Sequence, residues 1–316
     1  MTDFAPTKTT GPDHEIVLGT DERRRVNTTQ KPPFRWICSL EVEFPEPVIN
    51  ALGVLEHRDK RWEELPTGDK GCGSGLLISS KKVLTASHVL MGFKIVPGRK
   101  SGEQMLQPVL ASRVRVIPGR NDHHHAAPPP FGVWTAHKVH VNPIFKKRLS
   151  GSPEAITKNS VLAALPFDVG MVELKAKITR HSNRRLQLGD KIGWWGKDPA
   201  FRILPVSAQR QKTLTRYLAH IGGFPGDKGP LPCSVPYTSR GAILTAAPTI
   251  SGRRLDLLLY QADTSAGMSG SPVWIENQQG HKYLVGVHSS FSTYQADQQV
   301  NIGALLTPPL MQSKWW

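Results

Sequence analysis

The chain has 316 residues, 39% of them hydrophobic and 21% charged, which is typical of a globular protein rather than a disordered one. Lys and Arg number 40 against 25 Asp and Glu, so the formal net charge of +15 favours acidic partners. No run approaches the roughly 18 apolar residues of a membrane helix, so we expect no membrane association. Residues 1–15 lack the basic start and apolar centre of a signal peptide, and we expect a flexible arm or a propeptide there.

The basic residues form small clusters, as at positions 23–25, 146–148 and 253–254. No aromatic residues alternate with them, and no nucleic-acid-binding motif accompanies them. They are typical of a solvated surface, so we expect no specific nucleic-acid partner.

The three cysteines are Cys38, Cys72 and Cys233. They are too few for a disulfide framework, and although one bridge can form, their spacing leaves its pairing open. Five histidines lie within residues 123–140, but there is no HExxH motif, and adjacent histidines do not converge on a tetrahedral ion. We therefore expect no metal site and no cofactor.

Short strand-like stretches recur along the chain, whereas helical periodicity is scarce. The predicted strands are 35–44, 75–79, 82–86, 113–118, 133–141, 169–174, 190–196, 254–262, 271–275 and 283–290. Short helical turns are predicted in ASHVLMG, which begins at Ala86, and in the C-terminal tail. With 28 Gly and 26 Pro residues available for turns, the pattern predicts an all-β sandwich or barrel.

Three stretches between the predicted strands look like loops. Residues 97–108 and 119–132 have the composition of surface insertions, and the second holds three consecutive prolines that a central strand cannot accommodate. Residues 146–166 are also predicted to form a loop.

A run of small residues, DTSAGMSGSPV, begins at Asp263 between two predicted strands. Gly267 and Gly270 permit backbone angles that other residues resist, so the turn can expose a serine hydroxyl and direct backbone N–H groups at one point. An oxyanion hole requires that geometry. A tight hairpin loop is the alternative interpretation.

Two further residues complete a candidate catalytic set. His88 follows an apolar strand in KVLTASHV, and Asp168 precedes one in FDVGMVEL. An alcohol needs a base to act as a nucleophile near neutral pH, imidazole can take the proton, and a buried carboxylate holds the imidazole in the required tautomer. The chain order His88, Asp168, Ser269 is that of chymotrypsin rather than of subtilisin or the α/β-hydrolases.

On these motifs the chain resembles the chymotrypsin-fold serine proteases, and among them the glutamyl endopeptidases of staphylococci and bacilli. The matching runs include IVLGTDER from Ile16, GGFPGDK from Gly222 and the turn around Ser269. The resemblance implies two antiparallel six-stranded β-barrels with the active site between them, one in residues 16–185 and one in 186–316. It also implies a monomeric endopeptidase that acts on proteins or peptides through an acyl-enzyme without a cofactor.

Carried over residue by residue, the resemblance makes Ser269 the nucleophile, His88 the general base and acid, and Asp168 the residue that orients His88. The backbone N–H groups of Gly267 and Ser269 would form the oxyanion hole. Met268 departs from the pattern, because trypsin and chymotrypsin carry an Asp there that pairs with a new N-terminus. The hole is then either preformed or less well ordered.

The resemblance also implies cleavage after Glu or Asp. Thr264 and His288 occupy the positions that hold the substrate carboxylate in the glutamyl branch, and a histidine with a hydroxyl can hydrogen-bond that group. Asp263 lies where trypsin places its specificity Asp, so cleavage after Lys or Arg is the second reading. A catalytically inactive binding protein with the protease fold is a third.

The N-terminal region suggests a zymogen. In the glutamyl branch the mature chain begins near the residue that matches Ile16, and here the preceding residue is Glu15. We therefore predict self-processing at the Glu15–Ile16 bond, with an uncut tail as the alternative. The branch is mostly secreted, yet no export signal precedes Ile16, so secretion and a cytoplasmic location both stay open.

Overall fold

A computed structural model describes residues 17–50, 67–99, 102–122, 128–153, 156–178, 185–250, 252–294 and 298–313. In these ranges strands dominate and the helices are short. The strands of the first half are β1 (Arg24–Arg25), β2 (Ile37–Asn50), β3 (Thr67–Leu77), β4 (Lys82–Thr85), β5 (Met91–Pro97), β6 (Gln104–Leu110), β7 (Arg113–Pro118), β8 (Trp134–Val141), β9 (Gly170–Leu174) and β10 (Lys177–Ile178). Those of the second half are β11 (Arg185–Leu186), β12 (Phe201–Ile203), β13 (Leu218–Gly223), β14 (Tyr237–Ala246), β15 (Thr249–Ile250), β16 (Arg253–Arg254), β17 (Leu257–Tyr260), β18 (Pro272–Glu276), β19 (Lys282–Tyr294) and β20 (Gln298–Leu305).

The α-helices connect these strands and have at most seven residues. They are α1 (Ser87–Leu90), α2 (Pro143–Arg148), α3 (Lys158–Ala164), α4 (Leu188–Ile192), α5 (Ala208–Gln211) and α6 (Pro308–Met311). Single 3-10 turns span Leu165–Phe167 and Leu214–Arg216. Within the ranges given above, no helix is long and apolar enough to cross a membrane.

The strands close into two barrels. In the first, β2, β3, β4, β9, β8 and β7 pair in that order, and β7 returns to β2. In the second, β14, β13, β18, β19, β20 and β17 pair in order, and β17 returns to β14. All of these pairs are antiparallel, so the prediction of two six-stranded antiparallel barrels is confirmed. Closure leaves neither ring with an unpaired edge strand.

The barrel strands alternate between a buried and a solvated face, as β7 illustrates. Val114 and Val116 are fully buried, whereas Arg113 is exposed and Arg115 half-buried. Successive side chains of a strand point to opposite faces, so the two valines enter the core. On the outer face Arg115 forms a 2.6 Å ion pair with Glu41, its cross-strand neighbour on β2.

An aromatic cluster packs where the two barrels meet. Trp36 precedes the first barrel, Trp274 lies on β18 of the second, and the fully buried Trp195 contacts both. Phe201 packs edge-on against Trp36 and Trp195, an arrangement that aromatic rings favour.

The strand predicted at 190–196, which holds Trp195, is wrong. The stretch is the end of α4 followed by a loop. Asp190 and Gln187 form a capping box at the start of α4, and Gly193 ends it with φ of 71°. The apolar run is buried because Trp195 enters the interface, not because it belongs to a sheet.

Two predicted loops contain regular structure. Residues 146–166 include the end of α2 and all of α3, each of which starts at a side-chain cap, Asn142 and Thr157. In the stretch 97–108, Pro97 ends β5 and residues 104–108 belong to β6, which pairs with β5, whereas residues 100 and 101 lie outside the described ranges. No strand occurs in the described residues of 119–132, and residues 123–127 lie outside the described ranges.

The N-terminal segment, residues 17–25, joins the second barrel. Its strand β1 pairs with β14, with Arg24 opposite Thr238. The sequence placed this segment with the first barrel, in 16–185, so that boundary is corrected. The carboxylates of Asp263, which is buried, and of Asp227, which is partly exposed, hold the segment there, as the site geometry below shows.

A disulfide connects the two barrels. Cys72 of β3 is bonded to Cys233 in the loop before β14, 161 residues later in the chain. Cys38 is a free thiol, and burial raises its pKa above the ordinary value. The structure thus supplies the pairing that the sequence left open.

We expect loss of this disulfide to lower the free energy of unfolding by about 2–5 kcal/mol, because an unbridged unfolded chain has more conformations. The measurement is denaturant unfolding of the double variant Cys72→Ser, Cys233→Ser beside the wild type. Added reductant should shift the wild type towards the variant and leave the variant unchanged. Equal unfolding midpoints under oxidising conditions would contradict the prediction.

Candidate active site

His88 lies on α1, the single helical turn between β4 and β5. The neighbouring Ser87 fixes this turn, because its hydroxyl donates to Val169 O at 2.8 Å and accepts from Asn142 N at 3.2 Å. Asp168 and Val169 directly precede β9. The first barrel therefore holds His88 beside Asp168 through two side-chain to backbone bonds.

The structure brings His88, Asp168 and Ser269 together. His88 Nδ1 lies 2.6 Å from Asp168 Oδ2, and His88 N donates to Asp168 Oδ1 at 2.9 Å. Since a carboxylate accepts, Nδ1 carries the proton and the Nε2 lone pair faces Ser269 Oγ, 2.8 Å away. Ser269 and His88 retain 8% and 7% exposure and Asp168 none, so the carboxylate is shielded from solvent.

Ser289 of β19 is a residue of this site that the sequence interpretation missed. Its hydroxyl donates a hydrogen bond to Asp168 Oδ2, the oxygen that also faces His88. The second barrel thus contributes to the orientation of a carboxylate that belongs to the first. Ser289 directly follows the predicted site residue His288, but nothing in the sequence indicates that the Ser289 hydroxyl reaches Asp168.

The turn that carries Ser269, residues 263–271, is here called the Ser269 turn. Gly267 and Gly270 adopt φ of 95° and 84°, in the left-handed region that favours glycine. A Cβ on Gly267 would lie 2.5 Å from Cys233 Sγ and 2.7 Å from Phe224 O. Both glycines are therefore required by backbone conformation, and Gly267 also by the disulfide packed against it.

Two hydrogen bonds orient the peptides on either side of Gly267, and a third holds the peptide after Ser269. Ala266 O accepts from Gly226 N at 2.5 Å, and Gly267 O accepts from Ser74 Oγ at 2.8 Å. Because C=O and N–H point oppositely in a trans peptide, the bond to Gly226 directs Gly267 N–H away from that loop. Ser74 N also donates to Ser269 O at 2.8 Å. These bonds hold the turn in one conformation, as a preformed oxyanion hole requires.

Met268 is fully buried in the apolar core of the second barrel, beside Val273 and Val285. The sequence left two readings of this residue open, a preformed oxyanion hole or a less ordered one. A thioether packed among aliphatic side chains anchors the turn by burial where trypsin and chymotrypsin use an ion pair. This packing favours the first reading.

The predicted carboxylate-binding residues belong to one buried polar cluster. Thr264 and His288 are both fully buried. Thr264 Oγ1 donates to Asn301 Oδ1 at 2.7 Å, and His288 Nδ1 lies 2.5 Å from the hydroxyl of Tyr260. Tyr260 and Asn301 face each other across β17 and β20, and the sequence interpretation missed both.

Asp263 has a different environment. Its carboxylate accepts from Leu18 N through Oδ1 and from Glu22 N through Oδ2, both at 2.7 Å, and the residue is 3% exposed. Both oxygens therefore bind the backbone of the N-terminal segment. Glu15 and Ile16, the predicted processing site, lie outside the described residues.

Comparison with solved structures identifies the architecture. A Glu endopeptidase in complex with MPD has a TM-score of 0.54 and 19% identity, with 94% of this chain and 96% of that chain covered. The protease Anisep from Arthrobacter nicotinovorans has a TM-score of 0.55 and 14% identity, with 93% and 97% covered. This chain has the chymotrypsin fold. The thermostable serine protease AL20 from an extremophilic microorganism is similar too, with a TM-score of 0.52, 14% identity, and 88% and 94% covered.

Comparison of sequences alone gives a different similar protein. No protein-family model matches the chain. An extracellular metalloprotease of Bacillus subtilis (strain 168) is 21% identical over 301 residues, which span 95% of this chain and 69% of that protein. In the described part of the chymotrypsin-fold chain, no three His, Cys, Asp or Glu side chains are grouped so that they could hold a metal ion.

We expect Gly267→Ala to lower the free energy of unfolding by more than the same substitution does at a matched glycine. Gly252 also has positive φ, 74°, but a Cβ there meets nothing within 4 Å, so Gly252→Ala isolates the backbone strain of about 1–2 kcal/mol. Gly267→Ala should add about 1–3 kcal/mol for the clash with Cys233 and Phe224. Denaturant unfolding measures both, and equal losses would show that the turn tolerates the added methyl group.

Proposed function

We propose that the protein is a serine endopeptidase that hydrolyses peptide bonds through an acyl-enzyme, with a preference for Glu or Asp before the cut bond. The observation that carries the proposal is the continuous hydrogen-bonded series from Asp168 through His88 to Ser269. The hydroxyl lies within reach of a base whose tautomer a buried carboxylate holds. That is the arrangement an alcohol needs to become a nucleophile near neutral pH.

The reaction has two halves. Ser269 Oγ attacks the carbonyl carbon while His88 Nε2 takes its proton, and the resulting imidazolium donates that proton to the leaving amine as the peptide bond breaks. Water then attacks the acyl-enzyme, with His88 again as the base, and releases the acid and the free hydroxyl. Asp168 stabilises the imidazolium in both halves without taking up the proton.

The negative charge that develops on the carbonyl oxygen needs donors already in place. The N–H groups of Gly267 and Ser269 are the candidates, since the bonds of Ala266 and Ser74 restrain the peptides around them. A donor that needs no reorganisation is worth about 100- to 1,000-fold in rate.

The preference for acidic residues follows from the buried polar cluster. If the hydroxyl of Tyr260 donates to His288 Nδ1, the neutral imidazole carries its proton on Nε2 and can donate it to a carboxylate. Thr264 lies in the same cluster, and its one hydroxyl proton, which Asn301 Oδ1 accepts here, would have to turn from Asn301 to the substrate carboxylate to add a second donor. The net charge of +15 attracts acidic peptides over a longer range.

Cleavage after Lys or Arg is less well supported. That specificity would require the carboxylate of Asp263 to bind a substrate cation, but both of its oxygens accept backbone N–H groups of the N-terminal segment. Self-processing at Glu15–Ile16 and a monomeric state stay predictions. The disulfide favours an oxidising compartment and hence secretion.

We expect a fluorophosphonate probe to label the protein covalently at Ser269, because His88 makes that hydroxyl nucleophilic. Ser269→Ala should abolish labelling, and His88→Ala should lower its rate by about 1,000-fold or more. Ser290→Ala, a serine near the site on β19, is the control and should be labelled like the wild type. Mass spectrometry of the labelled peptide identifies the site. Absence of labelling in folded wild type would leave the inactive binding protein as the better account.

We expect a peptide library to be cut after Glu or Asp, and His288→Leu to lower kcat/KM on those peptides. Removal of a hydrogen bond to a charged group costs about 1.5–3 kcal/mol, or about 10- to 100-fold. Fluorophosphonate labelling, which involves no substrate carboxylate, should change much less. His281→Leu, in the turn between β18 and β19, serves as the control. Cleavage after Lys or Arg by the wild type would overturn the specificity.

A further inference from the structure

Arg23 in the N-terminal segment is buried to a degree unusual for arginine. Its side chain is 1% exposed, although arginine is mostly found at protein surfaces. Arginine has five N–H donors, and here each one is used. Nε and Nη2 bind the two oxygens of Asp21 at 2.9 and 2.8 Å, and Nη1 and Nη2 bind those of Asp227 at 2.9 and 2.6 Å. The fifth bond goes from Nη1 to the hydroxyl of Ser265.

The partners of Arg23 lie on the two pieces of chain that shape the oxyanion hole. Ser265 belongs to the Ser269 turn, and its carbonyl accepts from Met268 N at 3.0 Å. Asp227 belongs to the loop 224–228, whose Gly226 N binds Ala266 O. Ser265 Oγ also donates to Asp227 Oδ1 at 2.5 Å, which joins the loop to the turn directly.

The charges of this network are stabilised mutually. The hydrogen bond from Arg23 is the main reason that the pKa of Asp21 lies well below its usual value. Burial opposes ionisation of Asp227, but the hydrogen bonds of Arg23 and Ser265 outweigh it, so that its pKa is also lowered. Both carboxylates are therefore ionised at neutral pH, and Lys228 adds a 3.0 Å ion pair with Asp21.

We propose that Arg23 is a positioning residue that holds the Ser269 turn and the loop 224–228 in the conformation that forms the oxyanion hole. The expected effect on kcat rests on the proposed peptidase function, whereas the contacts of Arg23 with the turn and the loop do not. Met268 carries no charge that could pair with an N-terminal amine, so the N-terminal segment contacts the turn at other residues. It does so through the Arg23 guanidinium and through the backbone N–H groups of Leu18 and Glu22, which donate to the Asp263 carboxylate.

The expected kinetic signature is a loss in kcat. If Arg23 orients the donors for the developing oxyanion, its removal affects the transition state more than substrate binding. Arg23→Ala should lower kcat by about 10- to 100-fold and change KM by less than about threefold, since misplaced donors cost less than deleted ones. Arg23→Lys keeps the charge but cannot make two bidentate pairs, so we expect an intermediate loss.

The control is Arg24→Ala, which removes the same charge from the next, exposed residue. All variants are assayed well below their unfolding midpoints, so that the folded fraction is equal. The double variant Arg23→Ala, Asp227→Asn should lose no more than Arg23→Ala alone, because the two residues act as one unit. If Arg23→Ala does not fold, Arg23→Lys and Asp227→Asn carry the test.

Hydrogen exchange of peptides that cover 263–271 supplies a readout that needs no activity. Exchange there should be faster in Arg23→Ala or Arg23→Lys than in Arg24→Ala. If folded Arg23 variants match Arg24→Ala in kcat and exchange while the wild type cleaves peptides, the inference is overturned and the peptidase function stands. If the wild type is inactive but exchange in the turn accelerates, the positioning role stands and the proposed function fails.

Discussion

The site depends on one constraint: a hydroxyl from one barrel must lie within hydrogen-bond distance of an imidazole from the other. A displacement of 1 Å between the barrels would break the 2.8 Å contact of His88 Nε2 with Ser269 Oγ. The interface is accordingly stabilised by a disulfide and by several hydrogen bonds between the barrels. The Cys72–Cys233 disulfide crosses it, Ser74 binds Ser269 and Gly267, and Ser39 Oγ donates to Cys233 O at 2.8 Å.

The contacts between the barrels combine directional and non-directional interactions. The aromatic cluster around Trp195 supplies the buried apolar area, which stabilises contact between the barrels but specifies their alignment only loosely. Hydrogen bonds are sensitive to both distance and angle, and at the site they come from backbone groups or short serine side chains. Serine has few rotamers to lose, so it positions its partners at a small entropic cost.

Strand β19 connects the proposed catalytic and binding parts of the site. His288 extends towards Tyr260, whereas Ser289 extends towards Asp168, as neighbouring residues of a strand do. The pairing with β20 shifts register between His288 and Ser290, so the strand bends at this point. The main chain of His288 also binds the Ser269 turn on both sides, through Gly270 N and Ser271 O. One short stretch therefore supports the nucleophile, the carboxylate and the polar cluster together.

The local features of this protein can be predicted from its sequence alone. They include the alternation in β7, the glycines at 267 and 270, and the strand contexts of His88 and Asp168. These features depend on short-range sterics and on which face of a strand is buried. Each of these two factors leaves a pattern in neighbouring residues. Tertiary structure decided what those residues contact across the chain: the disulfide partner, the bond of Ser289 to Asp168, and the use of Asp263 to hold the N-terminal segment. The stretch 190–196 was misassigned for the same reason, because burial at a barrel interface and burial in a sheet produce the same apolar run. Contacts between residues more than a hundred positions apart leave no periodic trace in one sequence, so only the folded chain reveals them.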